Sequence, residues 1–220
     1  MGVDLSGDVR GLTIRQPWAS LICPGVGREP LKTIETRAGS WKWTGTVLIH
    51  AGAEWAPGWR GRWYSRADLD GAPGRILYAL DLLDELAEDV HTGEHWKLDG
   101  YARARVPLGA VLGVADITAA LPIYDAERLS DAGLPTPWQP HVTICGDSLN
   151  RYRKADTGDG WLDLDISDQL PYGIYEPGRK ALLLDNIRSL PEPIPCRGAL
   201  GPWRPDPALV ERVLAEAVAP

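Results

Sequence analysis

Side chains of the types that can bind phosphate or read a base occur together between positions 15 and 50. Arg15 and Arg37 each lie at the end of a segment that predicts a short strand. A guanidinium at such a position can form two parallel hydrogen bonds to a phosphate. Gln16 carries an amide that donates and accepts at once, which suits a base edge, although the same side chain can cap a helix. These residue types indicate recognition of a nucleotide or a nucleic acid.

Three further titratable side chains in this region are candidates for acid–base catalysis. Glu35 precedes Arg37 by two residues and therefore shares its strand face, so an ion pair between them is an alternative to ligand contact. Lys32 supplies an ammonium at the start of the same segment, where a solvated lysine is more common than a catalytic one. His50 ends a predicted strand, where an ordinary hydrogen-bonded histidine is the more common role.

Tryptophans supply candidate stacking surfaces beside these groups. Trp18 follows Pro17 at the start of a predicted helix, and Trp41 and Trp43 flank Lys42 in a predicted hairpin loop. Stacking of a nucleobase on an exposed indole contributes about 1 to 3 kcal/mol. Because the chain has ten Trp and no Phe, some of these rings must pack in the core instead.

Charge is distributed unevenly along the chain. The net charge is −7, which by itself argues against a polyanionic partner. Residues 11–62 nevertheless hold seven basic and three acidic residues, and residues 179–204 hold five basic and two acidic ones. If these two segments meet in space, a positive cleft within an acidic protein follows.

Composition and motifs exclude several classes of protein. The chain has 220 residues, 44% hydrophobic and 24% charged, which is typical of a globular protein rather than a fibre or a disordered tail. Since neither a long apolar run nor an export signal is visible, we expect a cytoplasmic protein without membrane contact. The separated residues Cys23, Cys145 and Cys196 predict reduced thiols. The common nucleotide, dinucleotide and zinc-peptidase motifs are absent, so we expect no cofactor and no metal.

The elements that must position these residues are mainly short strands. Apolar and β-branched runs predict strands over 11–15, 32–37, 46–51, 109–120 and 180–190, with weaker patterns in 141–145 and 161–166.

Helices are predicted at three places. Pro17 begins a short helix that Pro24 and the following glycine end, and Asp206 caps a helix with proline at its first position. An amphipathic period predicts a third helix over 79–90.

Three of these segments, taken in order, resemble the signature of the ASCH domains, a branch of the PUA-like superfamily. The segments are Thr13-Ile14-Arg15-Gln16-Pro17-Trp18-Ala19, Ile34-Glu35-Thr36-Arg37 and Gly45-Thr46-Val47-Leu48-Ile49-His50-Ala51. Residues 109–118, 181–187 and 198–203 are similar to later strands and to the closing segment of that family.

The resemblance implies an α+β fold, namely a small mixed β-barrel of five to six strands with flanking helices. It implies a tail over 1–10, a barrel over 11–204 with insertions at about 56–106 and 121–178, and a C-terminal helix over 205–220 packed on the barrel. Family members are thought to bind RNA or related nucleic acids in a cleft beside the first helix. Here the cleft is expected to be lined by Arg15, Gln16, Trp18, Lys32, Glu35 and Arg37, with Trp41 and Trp43 as stacking residues.

Two other functions stay open at this point. Some similar proteins are amidohydrolases of N4-acetylated cytidine, with a Lys-Thr-x-Thr-x-Arg segment that resembles residues 32–37. Glu35 stands here where the nucleophilic threonine is expected, and Thr36 is one residue away, on the opposite face of a strand. The alternatives to nucleic-acid or modified-nucleotide binding are therefore a hydrolase on the same cleft, acting on such nucleosides or as a ribonuclease, and a protein-interaction module.

Overall fold

The computed structural model describes residues 8–59, 62–82, 86–88, 95–98, 106–125, 141–144, 151–155, 161–165 and 167–218. The chain divides into two compact units. Unit 1 consists of Met1–Leu31, Thr46–Ala115 and Asn186–Pro220, and unit 2 consists of Lys32–Gly45 and Asp116–Asp185.

Strands dominate the described residues. In chain order they are β1 (Arg10–Gln16), β2 (Ile34–Ala38), β3 (Gly45–Trp55), β4 (Trp63–Ser65), β5 (Leu86–Glu88), β6 (His95–Leu98), β7 (Ala110–Asp125), β8 (His141–Ile144), β9 (Arg151–Ala155), β10 (Trp161–Asp165), β11 (Arg179–Pro195) and β12 (Pro202–Trp203). The helices are α1 (Trp18–Ile22), α2 (Arg66–Asp70), α3 (Ala72–Ala79) and α4 (Pro207–Glu216), with a 3₁₀ helix over Ser167–Tyr172. The predicted α+β class is confirmed, and the described residues are rich in strands and have few helices.

The main sheet of unit 1 is mixed. β1 runs parallel to β3, with Thr13 opposite His50, and antiparallel to β12, with Gly11 opposite Trp203. β7 pairs with β3 and with β11. Buried side chains of these strands pack against Val213 of α4 and form the core of the unit: Leu48, Val111, Val114, Leu190 and Ile194.

Unit 2 is also built on a mixed sheet. β2 is antiparallel to β11, with Arg37 directly opposite Lys180. β8 is parallel to β7 and antiparallel to β9, which in turn pairs antiparallel with β10. Its core consists of Ile34, Leu121, Ile123, Tyr175 and Ala181.

The predicted closure of the strands into a barrel is not observed. A closed barrel pairs every strand on both sides. Among the described strands β12 pairs with β1 alone, and β2 pairs with β11 alone, so both are edge strands. β12 is only two residues long and begins with Pro202, which lacks the N–H that a further pairing would need.

Two of the three predicted helices are confirmed, and the third is wrong. α1 follows Pro17, and α4 follows Asp206, whose side chain accepts a hydrogen bond from Ala208 N at 2.8 Å. Instead of a helix over 79–90, α3 ends at Ala79, and Asp81 adopts a φ of 54°, in the left-handed region that stops a helix.

Part of the region predicted as an insertion folds as a separate small sheet. β5 pairs with β6 and β6 with β4, giving a three-stranded antiparallel sheet in unit 1. Ser65 ends β4 and caps α2, where it exchanges hydrogen bonds with Asp68 in a capping box. No helix among the described residues is long and apolar enough to span a membrane.

Candidate functional site

A buried carboxylate in unit 2 joins two cations that lie close together in the sequence. Glu35 Oε2 lies 3.3 Å from Lys32 Nζ, and Glu35 Oε1 lies 3.0 Å from Arg37 Nε. Strand geometry explains the second contact, because residues two apart in β2 point to the same face. The ion pair that the sequence offered as the alternative role of Glu35 and Arg37 is therefore present.

Lys32 is almost fully buried, at 1% exposure, unlike the solvated lysine that its residue type suggested. Its ammonium donates to Ile34 O at 2.5 Å and to Tyr172 O at 2.6 Å, in addition to its contact with Glu35. These three oxygens match the three N–H donors of an ammonium. Loss of hydration lowers the pKa of Lys32, and Glu35 partly opposes that effect. Such a fully engaged ammonium ties the 3₁₀ helix to the start of β2.

The face of β2 that carries Glu35 and Arg37 has more positive than negative charge. Lys180 of β11 is paired directly opposite Arg37, so the two cationic side chains lie side by side on one face of the ladder. The other residue opposite this face, Leu182, is fully buried and apolar. Glu35 pairs with Lys32 and with Arg37, and Lys180 adds a third cation to this face. We call these four residues the basic face.

The opposite side of β2 is held by the segment that follows the 3₁₀ helix. Thr36 Oγ1 accepts a hydrogen bond from Ile174 N at 3.1 Å. A Cβ at Gly173 would come within 2.8 Å of the Tyr175 ring, so only glycine fits this approach. These contacts fix the position of β2 and therefore of the basic face.

Tyr175 is a buried polar residue that the sequence did not identify. Its hydroxyl finds no hydrogen-bond partner among the described residues. Burial and the negative charge of Glu35 both raise the pKa of Tyr175, so it stays a neutral phenol.

The predicted stacking residues of unit 2 lie in the loop after β2. Trp41 and Trp43 are both partly buried, and Lys42 between them is exposed. Trp41 Nε1 donates to Trp43 O at 2.7 Å, which fixes the loop locally. The loop thus places two indoles and an ammonium a few residues beyond Arg37.

The remaining predicted binding residues belong to unit 1 and differ in whether a ligand could reach their side chains. Arg15 is exposed at the end of β1. Gln16 is fully buried, and its amide donates to Ser20 Oγ at 2.8 Å and to Pro107 O at 2.7 Å while accepting from Ser20 N at 3.1 Å. Gln16 therefore makes internal contacts at the start of α1, the helix-capping alternative of the sequence prediction. Trp18 packs edge-on against Trp59 at 5.7 Å.

His50 is buried in the same unit, on strand β3. Its Nε2 lies 3.2 Å from Cys196 O, which places the proton of the neutral ring on Nε2. Nδ1 has no partner among the described residues, and Trp203 packs edge-on at 5.9 Å. Burial lowers the pKa of His50 below its ordinary value, and the bond to Cys196 partly opposes that shift. These contacts are those of a packed structural histidine.

Comparison with known proteins adds no assignment to this geometry. Neither the models of known protein families nor the curated proteins give a match to this chain. Among the described residues no three His, Cys, Asp or Glu side chains are grouped so as to hold a metal ion.

The sequence did not single out Lys180, the residue that gives the basic face its excess of charge. Its alternation with Leu182 and Leu184 shows that these side chains share a strand face, but the register that sets Lys180 opposite Arg37 depends on pairing between residues 143 positions apart. No local pattern carries that information.

Proposed function

We propose that the chain binds RNA or a nucleotide-like ligand through the basic face, and that its strands represent an ASCH-like variant of the PUA-like fold. The observation that carries the proposal is the direct pairing of Arg37 with Lys180 in the β2–β11 ladder. Like charges directly opposite each other destabilise a sheet, and a bound anion would remove that cost.

The arrangement of charges favours phosphate as that anion. Glu35 is already shared between Lys32 and Arg37, so it does not neutralise Lys180 as well. The Arg37 side chain is 26% exposed and Lys180 is partly exposed, which leaves both within reach of a ligand. A guanidinium beside an ammonium suits a phosphate group, since the first binds it through a planar fork and the second as a point charge.

Aromatic residues that follow the basic face in the sequence support a nucleotide rather than a simple anion. Trp41 and Trp43 follow Arg37 on the same segment of unit 2, with exposed Lys42 between them. Indoles beside cations are the usual means of binding bases and phosphates together. The resemblance of residues 34–37 and 181–187 to the ASCH signature supports the same ligand class, because these residues belong to β2 and β11.

A binding titration tests the proposal. Short labelled oligonucleotides of RNA and DNA, single-stranded and duplex, are titrated with the protein at about 50 and 200 mM salt, and anisotropy is recorded. We expect saturable, salt-sensitive binding that Arg37→Ala weakens about tenfold, the value for one charged hydrogen bond. The matched control is Arg212→Ala, since Arg212 is an exposed arginine paired with Glu216 on α4.

Two outcomes would contradict the proposal. Absence of binding to every oligonucleotide and to mononucleotides would exclude the ligand class. Equal affinity of Arg37→Ala and the unaltered protein would exclude the basic face.

The hydrolase alternative stays a prediction from the sequence. The three donors of Lys32 are directed at Ile34 O, Tyr172 O and Glu35, which suits a structural ammonium rather than a general base. No observation on the described residues favours the protein-interaction module either.

A further inference from the structure

One face of the three-stranded sheet in unit 1 combines an exposed indole with a lysine and a histidine. In the β4–β6 ladder Trp63 is paired opposite Lys97, and Ser65 opposite His95, so these four side chains lie on the same face. Trp63 is 47% exposed, and His95 is exposed as well. We call the residues Trp63, His95 and Lys97 the β4–β6 platform.

The opposite face of this sheet anchors it to its own unit. Tyr64 is fully buried there, and its ring lies 6.2 Å from that of Trp59. On the same face Trp96 is paired opposite Tyr64, and the guanidinium of Arg66 stands 4.8 Å from the centre of the Trp96 ring. Because the aromatic residues Tyr64 and Trp96 on one face are packed, the sheet is held in place and the β4–β6 platform lies on its other face.

The contacts of the platform hold its indole in place. The Lys97 ammonium lies 5.2 Å from the centre of the Trp63 ring, within the range of a cation–π interaction. This contact orients the ring and also places a positive charge beside it. Trp63 as a whole residue is still 47% exposed, and stacking of a base requires such exposure.

The formal charge of the platform is the positive charge of Lys97. None of the described side chains on this face of β4 and β6 is a carboxylate. The first carboxylate in the following helix, α2, is that of Asp68. It accepts hydrogen bonds from Ser65 N at 3.0 Å and Ser65 Oγ at 2.8 Å and pairs with Arg62. That carboxylate is therefore engaged in the capping box.

We propose that the β4–β6 platform binds single-stranded nucleic acid, with a base stacked on Trp63 and an adjacent phosphate at Lys97. Single strands fit better than duplexes, because only an unpaired base exposes a face for stacking on a protein side chain. The proposal gives a function to part of the predicted insertion 56–106. It concerns a surface other than the basic face and is tested by different residues.

The test measures binding of labelled oligouridine and oligothymidine to the full chain by anisotropy over a series of salt concentrations. Trp63→Ala is expected to weaken binding about tenfold, whereas Trp63→Phe, which keeps an aromatic face, stays within about threefold. Lys97→Ala is expected to reduce the slope of log K against log salt by about 0.7, the value for one phosphate of a single strand. Circular dichroism and thermal midpoints confirm that each variant is folded.

Two controls separate stacking at this face from other effects. Tyr78→Ala removes an aromatic side chain that is 75% exposed on α3, and Arg212→Ala removes an exposed cation from α4. Both are expected to bind as the unaltered protein does.

Three results would overturn the inference. The first is full affinity in Trp63→Ala, which, together with a loss in Arg37→Ala, would leave the basic face as the binding surface. The second is an equal loss in Trp63→Phe and Trp63→Ala, since stacking tolerates that exchange. The third is an equal loss in Tyr78→Ala, which would deny any special role to this face.

Discussion

The carboxylate of Glu35 lies 3.3 Å from the ammonium of Lys32 and 3.0 Å from the guanidinium of Arg37, and Lys32 is the more deeply buried of the two cations. The two ion pairs therefore differ in role. Lys32 holds Glu35 from inside the unit, and Glu35 in turn orients Arg37 toward the surface. A planar guanidinium oriented in this way loses less entropy when it binds a ligand.

Removal of the inner cation should destabilise the protein strongly. Lys32→Met leaves the carboxylate of Glu35 without its buried partner and leaves Ile34 O and Tyr172 O without a donor, so we expect a loss of about 3 kcal/mol. The measurement is the free energy of unfolding in urea. Arg212→Met, which breaks an exposed pair with Glu216, should cost less than about 1 kcal/mol.

A second variant separates the ion pair from the packing of the lysine stem. Addition of Glu35→Gln to Lys32→Met removes the uncompensated charge, so the double variant should recover part of the lost stability. If the effects of Lys32→Met and Glu35→Gln on the unfolding free energy simply add in the double variant, the ion pair contributes nothing to stability.

Replacement of Lys180 should change stability and binding in opposite directions. Lys180→Thr removes the like charge opposite Arg37 and introduces a residue that favours strands, so the unfolding free energy should rise by about 0.5 kcal/mol. The affinity for oligonucleotides should fall, because one of the phosphate-binding cations is lost. Denaturant midpoints and anisotropy titrations measure the two effects, and Lys180→Arg, which keeps the charge, should show neither.

The sequence predicted the helices and strands whose ends or side-chain pattern are determined by neighbouring residues. α4 begins where Asp206 and Pro207 combine a cap with a proline at the first helical position, and α1 follows Pro17. The β-branched run at 46–51 predicted part of β3. The amphipathic period over 79–90 failed, because Leu86–Glu88 is held by pairing with residues 95–98, which a helical period does not reveal.

The site depends on contacts that are distant in the sequence, and these were not predictable. The i, i+2 spacing of Glu35 and Arg37 was enough to suggest their ion pair. The burial of Lys32 was not, because its acceptor Tyr172 O lies 140 residues further along the chain. Likewise the side-chain amide of Gln16 donates a hydrogen bond to Pro107 O, 91 residues away. The amide that the sequence offered for base recognition is therefore used inside the protein.

Acidification should lower the free energy of unfolding through protonation of His50. Its folded pKa lies below the ordinary value of 6.5, so between these two values the unfolded state binds a proton that the folded state does not. Stability is therefore fully present above about pH 7 and is lost as the pH falls through this window, by about 1.4 kcal/mol for each unit of pKa difference.

The pH dependence is measured as the difference between the unaltered protein and His50→Gln. Glutamine keeps a donor for Cys196 O but does not titrate, so the variant should lose less stability than the unaltered protein between about pH 7 and 5. Parallel pH profiles for the two proteins would contradict the role of His50. The other histidines are present in both proteins and cancel in the comparison.

Gly198 is expected to be essential for the packing around this histidine. A Cβ at this position would lie 2.5 Å from His50 Nδ1 and 2.6 Å from Thr13 Oγ1, which itself accepts a hydrogen bond from Trp203 Nε1 at 3.1 Å. Gly198→Ala must therefore displace a buried ring or break the bond between β1 and β12. We expect a cost of about 2 kcal/mol, or a fall of about 6 °C in the thermal midpoint.

Gly52→Ala is the matched control for that substitution. Gly52 lies in β3, two residues after His50, and is buried, but a Cβ there would meet its nearest neighbour, Ile14 O, at the ordinary contact distance of 3.5 Å. Its thermal midpoint should stay within about 2 °C of the unaltered protein, which corresponds to less than about 1 kcal/mol. Equal thermal midpoints for Gly198→Ala and Gly52→Ala would show that residues 198–203 can move away from His50 at little cost. A lower midpoint for Gly198→Ala alone would show that these residues, and β12 with them, are held rigidly.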